Sequence, residues 1–308
     1  MKVTLISTVK DTAGRVEPFL ASLTAQTRAP DEVVIVDGGS SDGTAERFRA
    51  DPRITLIEAP GTNIAAGRNV ALAQATHEVI AATDADCELD PGWLAAIVAP
   101  IEAGADVAAG FYQPIASGFW QTCLAAINLP ADASEVDPDR FMPSARSVAY
   151  RREAIDAVGG YPEWLDIGED MWVNHRWRER GMQIAFAPDA VVRWPLRPDL
   201  ASTWRQYLGY GRGDAIGGMY PERHLLRLGA YAGLLAAVTS RRRWPKLAVA
   251  AAGAAYAAGP VTRARSRFDD PGRRAAAVVV VPALMAWIDT AKLAGYAEGL
   301  AARLRPGR

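Results

Sequence analysis

The chain is poor in the residues that build disulfide frameworks and Cys/His metal clusters: 308 residues carry only 2 Cys and 3 His. Cys87 and Cys123 show neither metal nor redox spacing, so a reducing compartment is expected. His175 has no second His or Cys at ligand spacing and reads as structural. No apolar stretch reaches the ~20 residues that cross a bilayer as a helix. The opening Met1 to Thr8 is too short an apolar run for a signal peptide and reads as a first strand. The Gly-rich loop Asp37 to Thr44 lacks the Lys-Ser/Thr ending of a P-loop, which argues against ATP hydrolysis of that type.

Net charge is also nearly absent, at −1, until it is divided along the chain. Residues 1–220 hold 19 Lys+Arg against 30 Asp+Glu, whereas residues 221–308 hold 15 against 5. The split predicts an acidic domain over 1–220 and a basic, apolar helical region over 221–308 that meets an anionic membrane surface. The alternative is a basic appendage folded against its own acidic domain. No nucleic-acid partner is expected. Three apolar stretches lie in the basic region: Leu228 to Ser240, Leu247 to Thr262 and Ala275 to Ile288. The loops between them, Arg241 to Lys246 and Arg263 to Arg274, are both basic, which opposes a single crossing by the middle stretch. Helices lying in, or dipping into, the cytoplasmic leaflet fit both observations. Spanning helices and an Ala-rich subdomain packed on itself are the alternatives.

The first half alternates short β-branched runs with helical patterns. Val3 to Thr8, Glu32 to Val36, Ile54 to Ile57 and Val79 to Thr83 read as strands, with helices over Val16–Gln26, Thr44–Arg49 and Ala65–Ala75 between them. This rhythm predicts a mostly parallel sheet covered on both faces. A further helix is expected to start near Pro91 with Asp90 as its cap. Ile184–Ala187 and Ala190–Trp194 read as a last pair of extended segments. Ligands of parallel sheets bind beyond the carboxyl ends of the strands. Asp37 follows the second strand and Asp84 the fourth, so both acids fall on that edge.

Asp84-Ala85-Asp86 is the leading candidate for chemistry. Two carboxylates one residue apart can hold Mg²⁺ or Mn²⁺, and the cation can clamp a diphosphate. Spacing alone does not decide it, because roughly one or two Asp-x-Asp triplets arise by chance at this Asp content. Asp137-Pro138-Asp139, in a polar proline-interrupted loop, is such a chance match. Asp37 can accept from a nucleobase N–H or a ribose hydroxyl, while Asp42 reads as a cap or Asx turn. Arg68 could offer a fork to phosphate oxygens or be an ordinary surface residue. Asp170, in the first turn of a helix, has the macrodipole to favour its anion and suits a general base. A Glu-Asp helix-capping pair explains the same spacing. Trp204 to Gly213 interleaves aromatics, Arg and Gly. It could stack on a sugar or cover the diphosphate with Arg212, or be an amphipathic helix whose aromatic side seals the domain against the membrane part.

Taken in order, Thr8-Val9-Lys10-Asp11, Val36 to Thr44, Arg68-Asn69, Asp84-Ala85-Asp86 and Glu169-Asp170 resemble the family 2 glycosyltransferases. The resemblance covers roughly residues 1–220 and implies a GT-A fold, a Rossmann-like α/β sheet with helices on both faces. It implies that Thr8 and Asp37 lie near the nucleoside, that Asp84 and Asp86 serve the ribose, metal and diphosphate, and that Asp170 is the base of an inverting transfer. The donor implied is a nucleotide-diphosphate sugar, UDP by family habit, and the cofactor is Mn²⁺ or Mg²⁺. The acceptor is a hydroxyl, lipid-linked or part of an envelope polysaccharide, reached from the cytoplasmic face of the membrane. Two departures stand out. Val192-Arg193-Trp194 occupies the region where many members supply a His ligand, and Gln206-Tyr207-Leu208-Gly209-Tyr210 does not match the Gln-x-x-Arg-Trp signature of processive synthases. Two other readings remain at this stage: a non-catalytic membrane-attached scaffold that binds nucleotide-sugars, and a sugar-phosphate nucleotidyltransferase. The latter is opposed by the absence of glycine from Ser7-Thr8-Val9-Lys10-Asp11.

Overall fold

A computed structural model describes residues 1–128 and 132–304. The last residues of the basic region, 305–308, lie outside it. The elements run β1 (Val3–Val9), α1 (Ala13–Thr24), β2 (Glu32–Asp37), α2 (Thr44–Arg49), β3 (Ile54–Glu58), α3 (Ile64–Gln74), β4 (Val79–Ala82) and β5 (Glu88–Leu89). After these come α4 (Trp93–Glu102), β6 (Val107–Ile115), α5 (Gly118–Asn128), β7 (Val148–Arg151), α6 (Arg152–Asp156), α7 (Glu169–Glu179) and β8 (Ile184–Pro195). Four helices close the described chain: α8 (Leu200–Gly217), α9 (Pro221–Thr239), α10 (Arg243–Ser266) and α11 (Pro271–Arg303). The chain forms two compact units, residues 1–115 with 132–195, and residues 116–131 with 196–308. The composition border at 220 therefore falls inside the second unit.

The first unit is built on one sheet of order β3-β2-β1-β4-β7-β6-β8-β5. β1 to β4 are mutually parallel, as the alternating rhythm predicts. β7 enters antiparallel between β4 and β6, which makes the sheet mixed. Central strands bury both faces, so β1, β2 and β4 read as continuous Val/Ile/Ala runs rather than alternating ones. The two extended segments expected after residue 184 are one strand, β8, interrupted by a bulge. Its pairing with β6 jumps from Gly110↔Ala187 to Phe111↔Val191. Gly110 is required there, because a Cβ would stand 2.0 Å from Ser147 Oγ and 2.6 Å from the Ala190 carbonyl. The helix expected near Pro91 is α4, which buries Trp93, Leu94, Ile97, Val98 and Ile101. Asp90 does not cap this helix: Gly92 holds the cap position, and Asp90 pairs instead with Arg193 at 2.7 Å.

The second unit is helical. α8 and α11 approach closely because glycines face them. A Cβ on Gly211 would lie 2.1 Å from the Lys292 carbonyl, and one on Gly295 would lie 1.9 Å from the Leu208 carbonyl. The aromatic face of α8 meets α11 as well, with Trp204 and Trp287 centroids 4.7 Å apart and Trp287 Nε1 donating to the Leu200 carbonyl at 3.1 Å. Of the two readings open for Trp204 to Gly213, this one seals a helical bundle. α11 spans 33 residues and is long and apolar enough to cross a membrane, by length and composition alone. It outruns the apolar stretch read from sequence because the charge that ends that stretch is neutralised inside the bundle. Asp289 is buried and accepts from Arg227 Nε at 2.6 Å, with the Tyr231 and Tyr256 hydroxyls at 3.3 Å.

The glycine contacts make a direct prediction. Gly295→Val overpacks the α8–α11 seam and should cost at least about 1–3 kcal/mol. Gly253→Ala in α10, where no atom lies within 4 Å of the added Cβ, should be neutral or stabilising. Thermal unfolding of both variants checks this, and equal melting temperatures would contradict it.

Candidate active site

Three loops leave the same edge of the sheet because their strands are in parallel register. Val9 lies opposite Asp37, and Ile6 lies opposite Ala82, so the segments after β1, β2 and β4 emerge side by side. Asp37 is 2% exposed and is occupied by its own loop. Its Oδ2 accepts from the N–H groups of Gly39 at 3.0 Å and Ser40 at 2.9 Å, and the Ser40 hydroxyl donates to Oδ1. Asp11 reaches across to accept from Ser41 N–H at 2.8 Å. Asp42 makes the Asx turn its sequence context suggests, accepting from Thr44 N–H at 3.1 Å and from Ala13 N–H at 2.9 Å. The first two loops are thus tied into one rim by carboxylates that accept backbone hydrogen bonds.

The third loop is organised by Arg68. Gly67 lets α3 press onto β1, since a Cβ there would stand 2.9 Å from Thr8 Cγ2. The next residue is thereby carried inward. Arg68 is buried rather than surface-exposed, and its guanidinium donates to Glu169 through Nη1 and to Asp84 at 3.1 Å through Nη2. It also lies 5.3 Å over the Tyr161 ring. Burial works against its charge, but Glu169 first and then Asp84 outweigh that cost and hold the guanidinium above its ordinary pKa. Burial pushes the Glu169 carboxyl up from its usual range, with Arg68 pulling it back. The neighbour Asn69 fixes the approach to α7. Its Nδ2 donates to the Tyr161 carbonyl at 2.9 Å, and its Oδ1 accepts from Tyr161 N–H at 2.9 Å.

Asp170 follows Glu169 at the start of α7 and is partly exposed. Met171 N–H donates to its Oδ1 at 2.8 Å, and Ala145 N–H donates to its Oδ2 at 3.2 Å. A second arginine completes the group. Arg146 Nε lies 3.6 Å from Asp84 Oδ2, and its guanidinium sits 4.2 Å over Trp194 and 5.8 Å over Tyr112. Asp86 is partly exposed, with the Cys87 thiol 3.5 Å from its Oδ1. Burial, reinforced by Asp86 and Asp84, raises that thiol well above its ordinary value, so it stays a protonated donor.

The structure therefore joins Arg68, Asp84 and Glu169 in one ionic chain with Asp170 next to it, and it sets Thr8, Asp37 and Asp86 on the same sheet edge. Arg212 lies on α8, in the other unit, with an exposed side chain. Arg193, which stands where a His ligand was sought, is committed to Asp90. Sequence reasoning gave no role to Arg146, Tyr112 or Trp194, and it treated Glu169 only as a helix-start acid. An Arg leading into one strand and a Trp ending another carry no local signal that they will meet. No group of three or more His, Cys, Asp or Glu that could hold a metal is present among the described residues.

The sequence model of "Glycosyl transferase family 2" matches residues 4–159. Among curated proteins, glycosyltransferase AglE of Haloferax volcanii is 28% identical over 207 residues, which is 64% of this chain and 67% of that protein. The succinoglycan biosynthesis protein ExoA of Rhizobium meliloti is 28% identical over 65% of this chain and 63% of its own length. The O-antigen chain rhamnosyltransferase RfbN of Salmonella typhimurium is 24% identical over 63% of this chain and 66% of its own length. The chain thus spans about two thirds of each of these relatives. Two solved structures share the fold. Mannosyltransferase PcManGT from Pyrobaculum calidifontis, in complex with GDP-Man and Mn2+, has a TM-score of 0.59 at 23% identity, covering 98% of this chain and 88% of that one. S. aureus TarS 1-349 in complex with UDP has a TM-score of 0.51 at 17% identity, covering 98% and 91%.

The ionic chain has a measurable signature. Arg68→Met strands the buried Glu169 carboxylate and should cost about 3–5 kcal/mol. Combining it with Glu169→Gln should restore part of that loss, and additive losses in chemical denaturation would contradict the pairing.

Proposed function

The chain belongs to glycosyl transferase family 2, and from that premise we propose that it moves a sugar from a nucleotide-diphosphate donor to an acceptor hydroxyl, with inversion at the anomeric carbon. One observation carries the reading: Arg68 brings Asp84 and the start of α7 together at the carboxyl edge of the parallel strands. That edge is where such sheets take ligands.

In this reading the rim of Thr8 and the loop that Asp37 shapes receive the nucleoside. Asp37 contributes through the Gly38 to Ser41 backbone it orders as much as through its own carboxylate. Arg68, enclosed by its two carboxylates, is a positioning residue and does not touch the donor. Asp84 faces Arg68 and Arg146, and Asp86, partly exposed on the same loop, is the carboxylate we assign to a divalent cation. A single carboxylate shared with donor phosphates is an ordinary site for Mg²⁺ or Mn²⁺, and the residues fit one. When bound, the cation supplies Lewis-acid neutralisation of the charge that builds on the departing diphosphate. Asp170 accepts the proton of the attacking hydroxyl. Its two backbone hydrogen bonds fix the carboxylate's direction in advance, which is what a general base requires.

The acceptor reading draws support from the names of the relatives, a succinoglycan biosynthesis protein and an O-antigen chain rhamnosyltransferase. An envelope glycan intermediate, lipid-linked and met at the cytoplasmic face of the membrane, fits those names and the apolar helices. The neighbouring structures hold GDP-Man in one case and UDP in another, so the nucleotide is a matter for a donor screen.

Asp170→Asn should lower turnover by about 10²–10⁴-fold while leaving donor affinity largely intact. Asp86→Asn should remove the increase in donor affinity that Mn²⁺ confers, read by thermal shift with and without the metal. Retained turnover in the first variant, or a retained metal effect in the second, would overturn the respective role.

A further inference from the structure

Among the described residues α11 is the helix long and apolar enough to cross a membrane, and it turns one apolar stripe inward while Val278 and Val279 are 47% and 72% exposed. Ala277, Val281, Leu284, Met285, Ile288 and Ala291 are all buried. α9 and α10 bury far less. In α9 only His224 and Ala237 are buried, while Leu226 is 76%, Leu235 67% and Val238 59% exposed. In α10 only Ala257 and Ala264 are buried, and Leu247 is 70% exposed. A helix on a water-facing surface carries polar residues outside. Here Leu228 to Ser240 and Leu247 to Thr262 contain no charged residue at all. The turn between the two helices and the first turn of α10 carry Arg241-Arg242-Arg243-Trp244-Pro245-Lys246, with Trp244 65% exposed. The far ends are basic too, at Arg223 and at Arg263, Arg265 and Arg267.

We propose that the α9–α10 hairpin lies flat on an anionic bilayer surface, the leucine-rich outer face of α9 and the alanine-rich face of α10 with Leu247 in the acyl boundary and the basic ends among the headgroups, while α11 packs beneath it. This deepens the membrane part of the proposed function and rests on it. At 1.5 Å per residue the uncharged runs extend about 20 and about 24 Å, short of the ~30 Å hydrocarbon core. Arginines at both ends would have to cross that core if either helix spanned alone. Exposed Leu beside Lys/Arg clusters, with Trp at the boundary, is the pattern of an interfacial helix. The hairpin is held in place from below, because Arg227 and Tyr231 of α9 and Tyr256 of α10 all converge on Asp289.

Flotation of the full chain on phosphatidylcholine vesicles with and without phosphatidylglycerol tests this. The chain should float strongly only with phosphatidylglycerol. Replacing Arg241, Arg242, Arg243 and Lys246 together by Ala should weaken that binding at least about tenfold. Leu226→Ser with Leu235→Ser should weaken it on all vesicles, and both variants alter exposed side chains, so folding can be verified by circular dichroism. A fluorescent label on Ala251→Cys should be quenched by shallow and not by deep bromolipids. Wild-type flotation by neither vesicle, unchanged binding of the variants, deep quenching, or leucine-dependent self-association without lipid binding would each overturn the proposal. Donor binding in solution, measured beside it, reports separately on the active-site reading.

Discussion

A guanidinium enclosed by two carboxylates holds the candidate site together. Arg68, Asp84 and Glu169 come from three segments of the first unit, a helix, the end of a strand and the start of another helix. An unpaired charge at that depth would cost several kcal/mol, so the three segments are bound to one another by mutual need. The contact is possible only because Gly67 allows α3 to lie against Thr8. It places Asp170 in turn, since the residue after Glu169 has little freedom once Glu169 is fixed and its own carboxylate is oriented by two N–H groups.

The second unit solves a different problem. Its seam between α8 and α11 uses glycines to bring backbones together, and its buried charge, Asp289, is surrounded by partners from two other helices. Glycines line that seam, large apolar side chains of α11 such as Leu284, Met285 and Ile288 fill the interior, and the leucines of α9 nevertheless stand outside, which a water-soluble bundle would not favour. Hydropathy along the chain ranks α11 first as a membrane element, and burial divides it: Val281, Leu284, Met285 and Ile288 face inward while Val278 and Val279 are exposed.

Much of the first unit was legible because local rules and tertiary structure agree there. Short β-branched runs between amphipathic helices could only become parallel strands, and parallel register then puts Asp37 and Asp84 on one edge. What sequence could not reveal depends on distant partners. The bulge in β8 arises from crowding among Gly110, Ser147 and Ala190, three positions with no local pattern in common. Asp90 looked like a helix cap because it precedes a helix, but Arg193, brought close by β5–β8 pairing, competes for it successfully. Arg68 read as a fork for phosphate oxygens or as an ordinary surface residue because a lone Arg has no signal for burial. The acid that buries it lies about a hundred residues later. Trp194 and Arg146 were missed for the same reason: a stacking pair leaves no periodicity.

The most direct measurement is a crystal structure of the full chain with a nucleotide-diphosphate sugar and Mn²⁺. The diphosphate and metal should lie at Asp86, the nucleoside along the Asp37 loop, and Asp170 should face the anomeric carbon with the Arg68–Glu169 contact unbroken. Donor density away from this strand edge, or an Arg68 drawn out to the phosphates, would contradict it.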